Sequence, residues 1–297
     1  MELSSALNDF CNYSNYVRGY SKKTIDRYRA TVTHLQRHIQ AQEVGDCSEF
    51  KVREFFYYGR QEKHWAPTTF ITYLNSLAVF FRWCVGQGYL TSNPTTDIEM
   101  PRKAKKLPSR LTKQEALHLL DVVSNYPFPH AFQRYRNYAI LATFILAGLR
   151  KSELLQLKMP DVDLANMAIF VHQGKGNKDR IIPIGPTLGR ILNRYREQRI
   201  RLNKACSAFF VSMHRDMGFT EAGLKRLVDF LKDKSGIQFS IHKLRHTFAT
   251  IMLEGGCDIF SLSKILGHSD IKTTTIYLAA SPEHLRAQML KHPFDAF

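Results

Sequence analysis

The chain has 297 residues and is 44% hydrophobic, enough apolar side chain for one large domain or two ordinary ones and too much for a disordered polyelectrolyte. Lys and Arg outnumber Asp and Glu by 42 to 26, a formal charge of +16. That excess suits a polyanionic partner such as nucleic acid, although a basic enzyme of another kind carries the same balance. The five cysteines are scattered and form no CxxC pair, which argues against a disulfide framework or a zinc cage and fits a reducing, cytoplasmic setting. The opening MELSSALNDF is polar and lacks the apolar core of a signal peptide. The longest uncharged run, Tyr138 to Leu149, is shorter than the ~20 residues of a membrane span and reads as a buried core helix.

Helical spacing dominates the first third. Leu3, Leu7, Phe10 and Val17 share one face, and Gly19 ends that run. Ser21 is placed to cap a helix whose apolar face is Ile25, Tyr28, Val32, Leu35 and Ile39. A short helix carries Val52, Phe55 and Phe56. A longer one starts near Pro67, buries Phe70, Leu74, Leu77, Phe81 and Cys84, and stops at Gly86 and Gly88. Four such helices make a small bundle. Residues 1–98 hold 11 Lys and Arg against 9 Asp and Glu, a net +2. Residues 99–110 include the stretch MPRKAKKLPSR, hold 5 against 1, and read as a basic linker. It is either a plain spacer or a strap lying along phosphates.

Residues 111–297 carry the remaining +10. Thr112 and Glu115 have the spacing of a capping box. Phe132 to Leu146 reads as an apolar helix ending at Gly148. Met167–Val171 and Arg180–Ile184 read as two strands, joined by the turn residues Gly174-Lys175-Gly176-Asn177-Lys178. Pro186 opens a helix rich in arginine: Arg190, Arg194, Arg196, Arg199 and Arg201, followed by Lys204. Further helices run to the end, so the fold class is mainly α with a small β-sheet in the second domain.

Three segments carry residues with chemical potential. In AGLRKSE the glycine turn sets Arg150 at the mouth of a helix with Glu153 one turn on; alone, this is either a surface ion pair or an anion ligand. In IHKLRH, His242, Arg245 and His246 share one helix face. Two histidines at this spacing suit zinc, but Lys243 stands where a zinc-protease helix has glutamate, and Arg245 repels a dication. His246 is expected to pack in the core. In LGHS followed by TTTIY, Gly267 ends a helix and presents His268, and a short helix then carries Tyr277. A lone tyrosine is usually core or surface; only its company distinguishes this one.

Taken together, AGLRKSEL, GKGNKDR, IHKLRHTFAT and LGHSDIKTTTIY, in chain order, resemble the tyrosine recombinase (phage-integrase-like) family across nearly the whole chain. The resemblance implies an N-terminal helical core-binding domain over 1–98, the linker 99–110, and a catalytic domain over 111–297 with a tail at 282–297. It also implies a role for each matching residue. Arg150 and Arg245 resemble the pair that grips the scissile phosphate. Lys175 resembles the general acid, His242 the residue assisting proton transfer, His268 a phosphate hydrogen-bond donor, and Tyr277 the nucleophile. Glu153 resembles a supporting acid. A 3′-phosphotyrosine conserves the energy of the broken bond, so no ATP, metal or other cofactor is expected.

The implied partners are double-stranded DNA, held in a C-shaped clamp, and a homotetramer on two DNA sites; no membrane is expected, and no accessory protein can be read from the sequence. The tail, with Leu285, Met289, Leu290, Phe294 and Phe297, is expected to dock either on a neighbouring protomer or on its own domain. The chain opens directly on the core-binding part, which favours a simple Xer-type recombinase or transposon resolvase. The rival readings are a type IB topoisomerase, a catalytically silent DNA-binding protein of the same fold and, more distantly, a metal nuclease.

Overall fold

The computed structural model describes residues 1–102, 109–172, 179–268 and 270–278. The chain folds as two compact units, Met1–Lys105 and Lys106–Phe297.

Among its described residues, the first unit is built of helices, with one isolated antiparallel bridge between Glu2 and Glu43. Helices α1 (Leu3–Asn12), α2 (Lys22–Ile39), α3 (Glu49–Gln61) and α4 (Pro67–Gly86) surround one core. The expected caps are in place: the Ser21 hydroxyl accepts from the Thr24 amide at 3.3 Å, and Pro67 occupies the first turn of α4, where its missing N–H costs nothing. Leu3, Leu7 and Phe10 are buried as their spacing predicts, but Val17 is 69% exposed. The reason is a π-helical turn over Tyr13–Val17, which takes an extra residue per turn and rotates Val17 out of the apolar face.

In the second unit, the Thr112–Glu115 capping box forms at the start of α5 (Lys113–Asn125), with bonds of 2.7 and 3.1 Å. The apolar helix α6 (Ala131–Ala147) packs against α5, against α8 (Pro186–Arg201) and against α10 (Ile241–Glu254). Between α6 and α8 lie the short α7 (Lys151–Gln156) and an antiparallel sheet of β1 (Val162–Asp163), β2 (Ala168–Val171) and β3 (Arg180–Pro183). The register pairs Val162 with Ile169 and Ile169 with Ile182, burying all three against the helices. Strand β1 is an addition to the two strands read from the sequence. After α9 (Glu221–Ser235) and α10 come α11 (Ile259–Leu266) and α12 (Lys272–Thr275).

Not every arginine of α8 faces outward. Arg199 is buried and donates to the carbonyls of Ala208 (3.1 Å) and Cys206 (2.6 Å), so it ties down the following loop. At the entrance to the unit, Arg110 pairs with Glu254 at 2.7 Å, and the buried Leu111 amide donates to Thr247 Oγ1 at 2.8 Å. Among the described residues, no helix is long and apolar enough to cross a membrane.

Candidate active site

Gly148 ends α6 in the left-handed region, at φ +62°, where a Cβ would also collide with the Phe248 ring. The chain then turns at once into α7, with Arg150 as its N-cap residue. Glu153 folds back one turn later: its Oε2 accepts the Arg150 amide at 2.7 Å, and its Oε1 accepts Arg150 Nη1 at 2.7 Å. Arg180, the first residue of β3, closes on the same carboxylate with a two-pronged fork, both bonds 2.8 Å. Arg245, on the buried side of α10, places Nη1 4.0 Å from Glu153 Oε2 and donates it to the Gly148 carbonyl at 2.7 Å.

The end of α11 completes the cluster. Gly267 takes a left-handed conformation, φ +64°, and turns the chain so that His268 follows. Arg245 Nη2 lies 3.3 Å from His268 Nε2, while His268 Nδ1 is 2.8 Å from Thr274 Oγ1 in α12. Arg150, Glu153, Arg245 and His268 therefore lie together in one cluster. Lys175 lies outside the described residues.

Three guanidinium groups thus surround one carboxylate. Burial alone would raise the pKa of Glu153, but the hydrogen bonds and charge of Arg180, then the bonds from Arg150, outweigh it and hold the group at about 2. Burial, and next the neighbouring Arg150 charge, pull Arg245 down to about 10, so it stays protonated at neutral pH. Three cations against one anion leave the cluster at +2, within a site where two of the four side chains, Glu153 and Arg245, are buried. A buried cluster with that imbalance is an anion site electrostatically.

Tyr277 lies two residues beyond the end of α12 and is only 2% exposed. Its hydroxyl is 2.8 Å from His246 Nδ1. Burial raises its pKa, against the lowering effect of Arg245 and Arg150, so the phenol is neutral in this arrangement. His246 is thus not the plain core residue expected: it is half-buried, and desolvation, then His242 and Arg245, bring its pKa down to about 4. A neutral imidazole can accept the phenolic proton, which a charged one cannot. The exposed His242 sits with its ring 4.1 Å from that of His246, and partial desolvation followed by Arg245 and Arg150 lowers its pKa too. Among the described residues, no group of three His, Cys, Asp or Glu side chains is placed to hold a metal ion.

Sequence reading missed Arg180 as a member of this site, and assigned His246 elsewhere. Arg180 had a visible signal, since it closes the GKGNKDR motif; a strand-opening arginine nevertheless reads as a polar sheet edge.

The model of the phage integrase family matches residues 109–284, and that of the phage integrase N-terminal SAM-like domain matches residues 7–90. The chain belongs to the phage integrase family. The tyrosine recombinase XerD of Listeria monocytogenes is 32% identical over 304 aligned positions, covering 99% of each chain. The crystal structure of XerA recombinase is similar at 28% identity with a TM-score of 0.55, covering 98% of this chain and 99% of that one. XerH, solved bound to a palindromic difH substrate, shares the fold at 21% identity and a TM-score of 0.76, covering 97% of this chain and 84% of that one. This family member is a tyrosine recombinase, a DNA-binding enzyme of site-specific recombination. The N-terminal helical domain and the mainly α catalytic domain with its small sheet are those of the family.

Proposed function

We propose that this recombinase breaks a DNA strand by attack of Tyr277 on a phosphate held by Arg150 and Arg245, and rejoins it to a strand of a second duplex. The observation that carries this reading is the charge of the cluster: three guanidinium groups share one carboxylate, and a phosphodiester supplies the missing anion. Arg150 and Arg245 grip its non-bridging oxygens, His268 adds a hydrogen bond, and Glu153 holds the arginines in place. His242 assists proton transfer at the phosphate. Lys175 protonates the departing 5′-oxygen, a very poor leaving group without a proton. The 3′-phosphotyrosine then holds the bond energy until a 5′-hydroxyl of the partner duplex attacks it.

Tyr277 at 2% exposure is shielded from a phosphate in solution, so attack requires its side chain to leave its place beside His246. Two duplexes present four strands, and each protomer carries one such tyrosine; a homotetramer on two DNA sites follows. We assign residues 1–98 to core binding, 99–110 to a linker along phosphates and 111–297 to catalysis; the tail 282–297, outside the described residues, docks either on a neighbouring protomer or on its own domain. A reducing cytoplasm suits the five free cysteines.

The test is to expose the protein to fragmented genomic duplex DNA, stop with detergent, and sequence the fragments that remain covalently attached. One recurring short sequence is expected. Attachment spread evenly over the DNA would favour topoisomerase-like relaxation, and no attachment would favour a silent DNA-binding protein.

A further inference from the structure

The three arginines of the cluster do more than share Glu153. They also take three successive carbonyls at the end of α11. Arg180 Nε donates to Ile265 O at 2.8 Å, Arg245 Nη2 to Leu266 O at 2.6 Å, and Arg150 Nη2 to Gly267 O at 3.0 Å. The carbonyl end of a helix lacks internal partners and carries partial negative charge, so it and the Glu153 carboxylate form one acceptor template for three cations. His268 follows directly on the last of these carbonyls.

Within the template the arginines differ. Arg180 makes bonds through all of Nε, Nη1 and Nη2, two to Glu153 and one to Ile265, and its side chain is 9% exposed. Arg150 and Arg245 make theirs through Nη1 and Nη2. Gly267 is part of the same fit: a Cβ there would lie 2.8 Å from Arg180 Cδ and 3.0 Å from its Nε. The sequence places Arg180 five residues after Lys175, so one strand end is tied to both the carboxylate and the helix end that presents His268.

We propose that Arg180 is a positioning residue for strand cleavage: it locks Glu153 and the carbonyl end of α11 into one frame, against which Arg150 and Arg245 face a single phosphate, and it makes no contact with DNA. This rests on the reading that Tyr277 attacks at that phosphate. Without the Arg180 fork, Glu153 is free to draw Arg150 into a two-pronged pair and away from the phosphate. The Ile265 carbonyl also loses its partner and the turn before His268 loses its anchor. Misplacing such groups by an ångström costs on the order of 100-fold in rate.

The experiment uses the full chain and a nicked duplex carrying the sequence recovered by covalent trapping. Arg180→Lys keeps a cation but cannot span both Glu153 oxygens and Ile265. We expect its duplex affinity to stay within about twofold, and its log–log salt slope to match the wild type, because no phosphate contact is lost. Adduct formation should fall by about 100-fold. On the same duplex with a neutral methylphosphonate at the scissile position, the deficit should shrink to less than about tenfold, since the arginines then have no charge to neutralise. A deficit of equal size on both substrates, a salt slope reduced by about 0.9, or normal cleavage would each overturn the proposal. Combining Arg180→Lys with Glu153→Gln adds a second check: because Arg180 acts in part through Glu153, the double variant should lose clearly less than the product of the two single losses, whereas fully additive losses contradict the proposal. If the wild type itself forms no adduct on the phosphate duplex, it is the reading of Tyr277 that fails.

Discussion

The interiors of the two units differ in kind. In the first, Phe10, Phe55, Phe56, Phe80 and Phe81 are buried with Tyr28 and Trp65, and among the described residues the buried polar ones are the uncharged Ser14, Thr31, Ser76 and Thr95. In the second, Arg136, Glu153, Asp161, Arg199 and Arg245 are all buried. Some of those charges are structural: Arg199 spends its donors on backbone carbonyls of a neighbouring loop. Around Glu153, by contrast, Arg245 stands beside Arg150 and Arg180, cations of its own sign. Such an arrangement is costly as a way to hold a fold together and economical as a place for a phosphate. The first unit is built for packing. The second keeps an electrostatic imbalance at its centre.

The largest effect is expected at Arg150 and Arg245, the residues proposed to hold the scissile phosphate. Arg245→Lys and Arg150→Lys each keep the charge and lose the fork, so adduct formation should drop by roughly 100- to 1,000-fold while duplex affinity barely changes. Quench kinetics on the trapped sequence measure it. A Lys variant with near-normal cleavage would remove that arginine from the scissile phosphate.

Stability offers the next contrast. Phe80→Ala in the first unit and Glu153→Ala in the second should each cost on the order of 3–5 kcal/mol, one through a cavity and the other through stranded cations. Relative to chloride at matched ionic strength, sulfate should restore more stability to the second than to the first, because an added anion can occupy the arginine cluster. Thermal unfolding in a sulfate series separates them, and equal recovery of both variants would show that buried charge is not what distinguishes the units.

A smaller effect is expected from pH. The folded pKa of His246, about 4, lies below its ordinary 6.5, so the open chain binds more protons between those values. The stability contributed by keeping His246 neutral is therefore fully present above pH 6.5 and is lost as pH falls toward 4. Glu153 adds a second, lower window: its contribution is complete above 4.5 and lost toward 2. Urea unfolding at several pH values should show both losses, and His246→Phe should shrink the upper one, to which the lowered His242 also contributes, while leaving the lower one unchanged. Smallest is the linker. Neutralising Arg102, Lys103, Lys105 and Lys106 together should lower the log–log salt slope by at most about 0.9 per lost contact without altering the preferred sequence.

What could be read from the sequence follows from how local each feature is. The caps at Ser21 and Thr112, the stop at Gly148 and the buried faces of α2 and α4 depend on neighbours within a turn, and they stand where spacing puts them. Val17 failed because one π turn shifts a helical face, and spacing assumes a constant pitch. Strand β1, only two residues long, carries no alternation to detect. The motifs identified Arg150, Glu153, Arg245 and His268 as one group. They could not tell which histidine of α10 meets Tyr277, because that depends on how α12 approaches from elsewhere in the chain. Arg180 reaches Glu153 across 27 positions and Ile265 across 85, distances at which residue spacing has no bearing.

The proposed reaction turns on covalent attachment of Tyr277 to DNA. Full-length protein and a Tyr277→Phe variant are each incubated with duplex carrying the trapped sequence, stopped in detergent, and digested for mass spectrometry of the nucleotide-linked peptide. A nucleotide joined through its 3′-phosphate to Tyr277 is expected in the wild type, and in the variant no adduct with duplex affinity unchanged. An adduct on any other side chain, or one that persists in Tyr277→Phe, would contradict it.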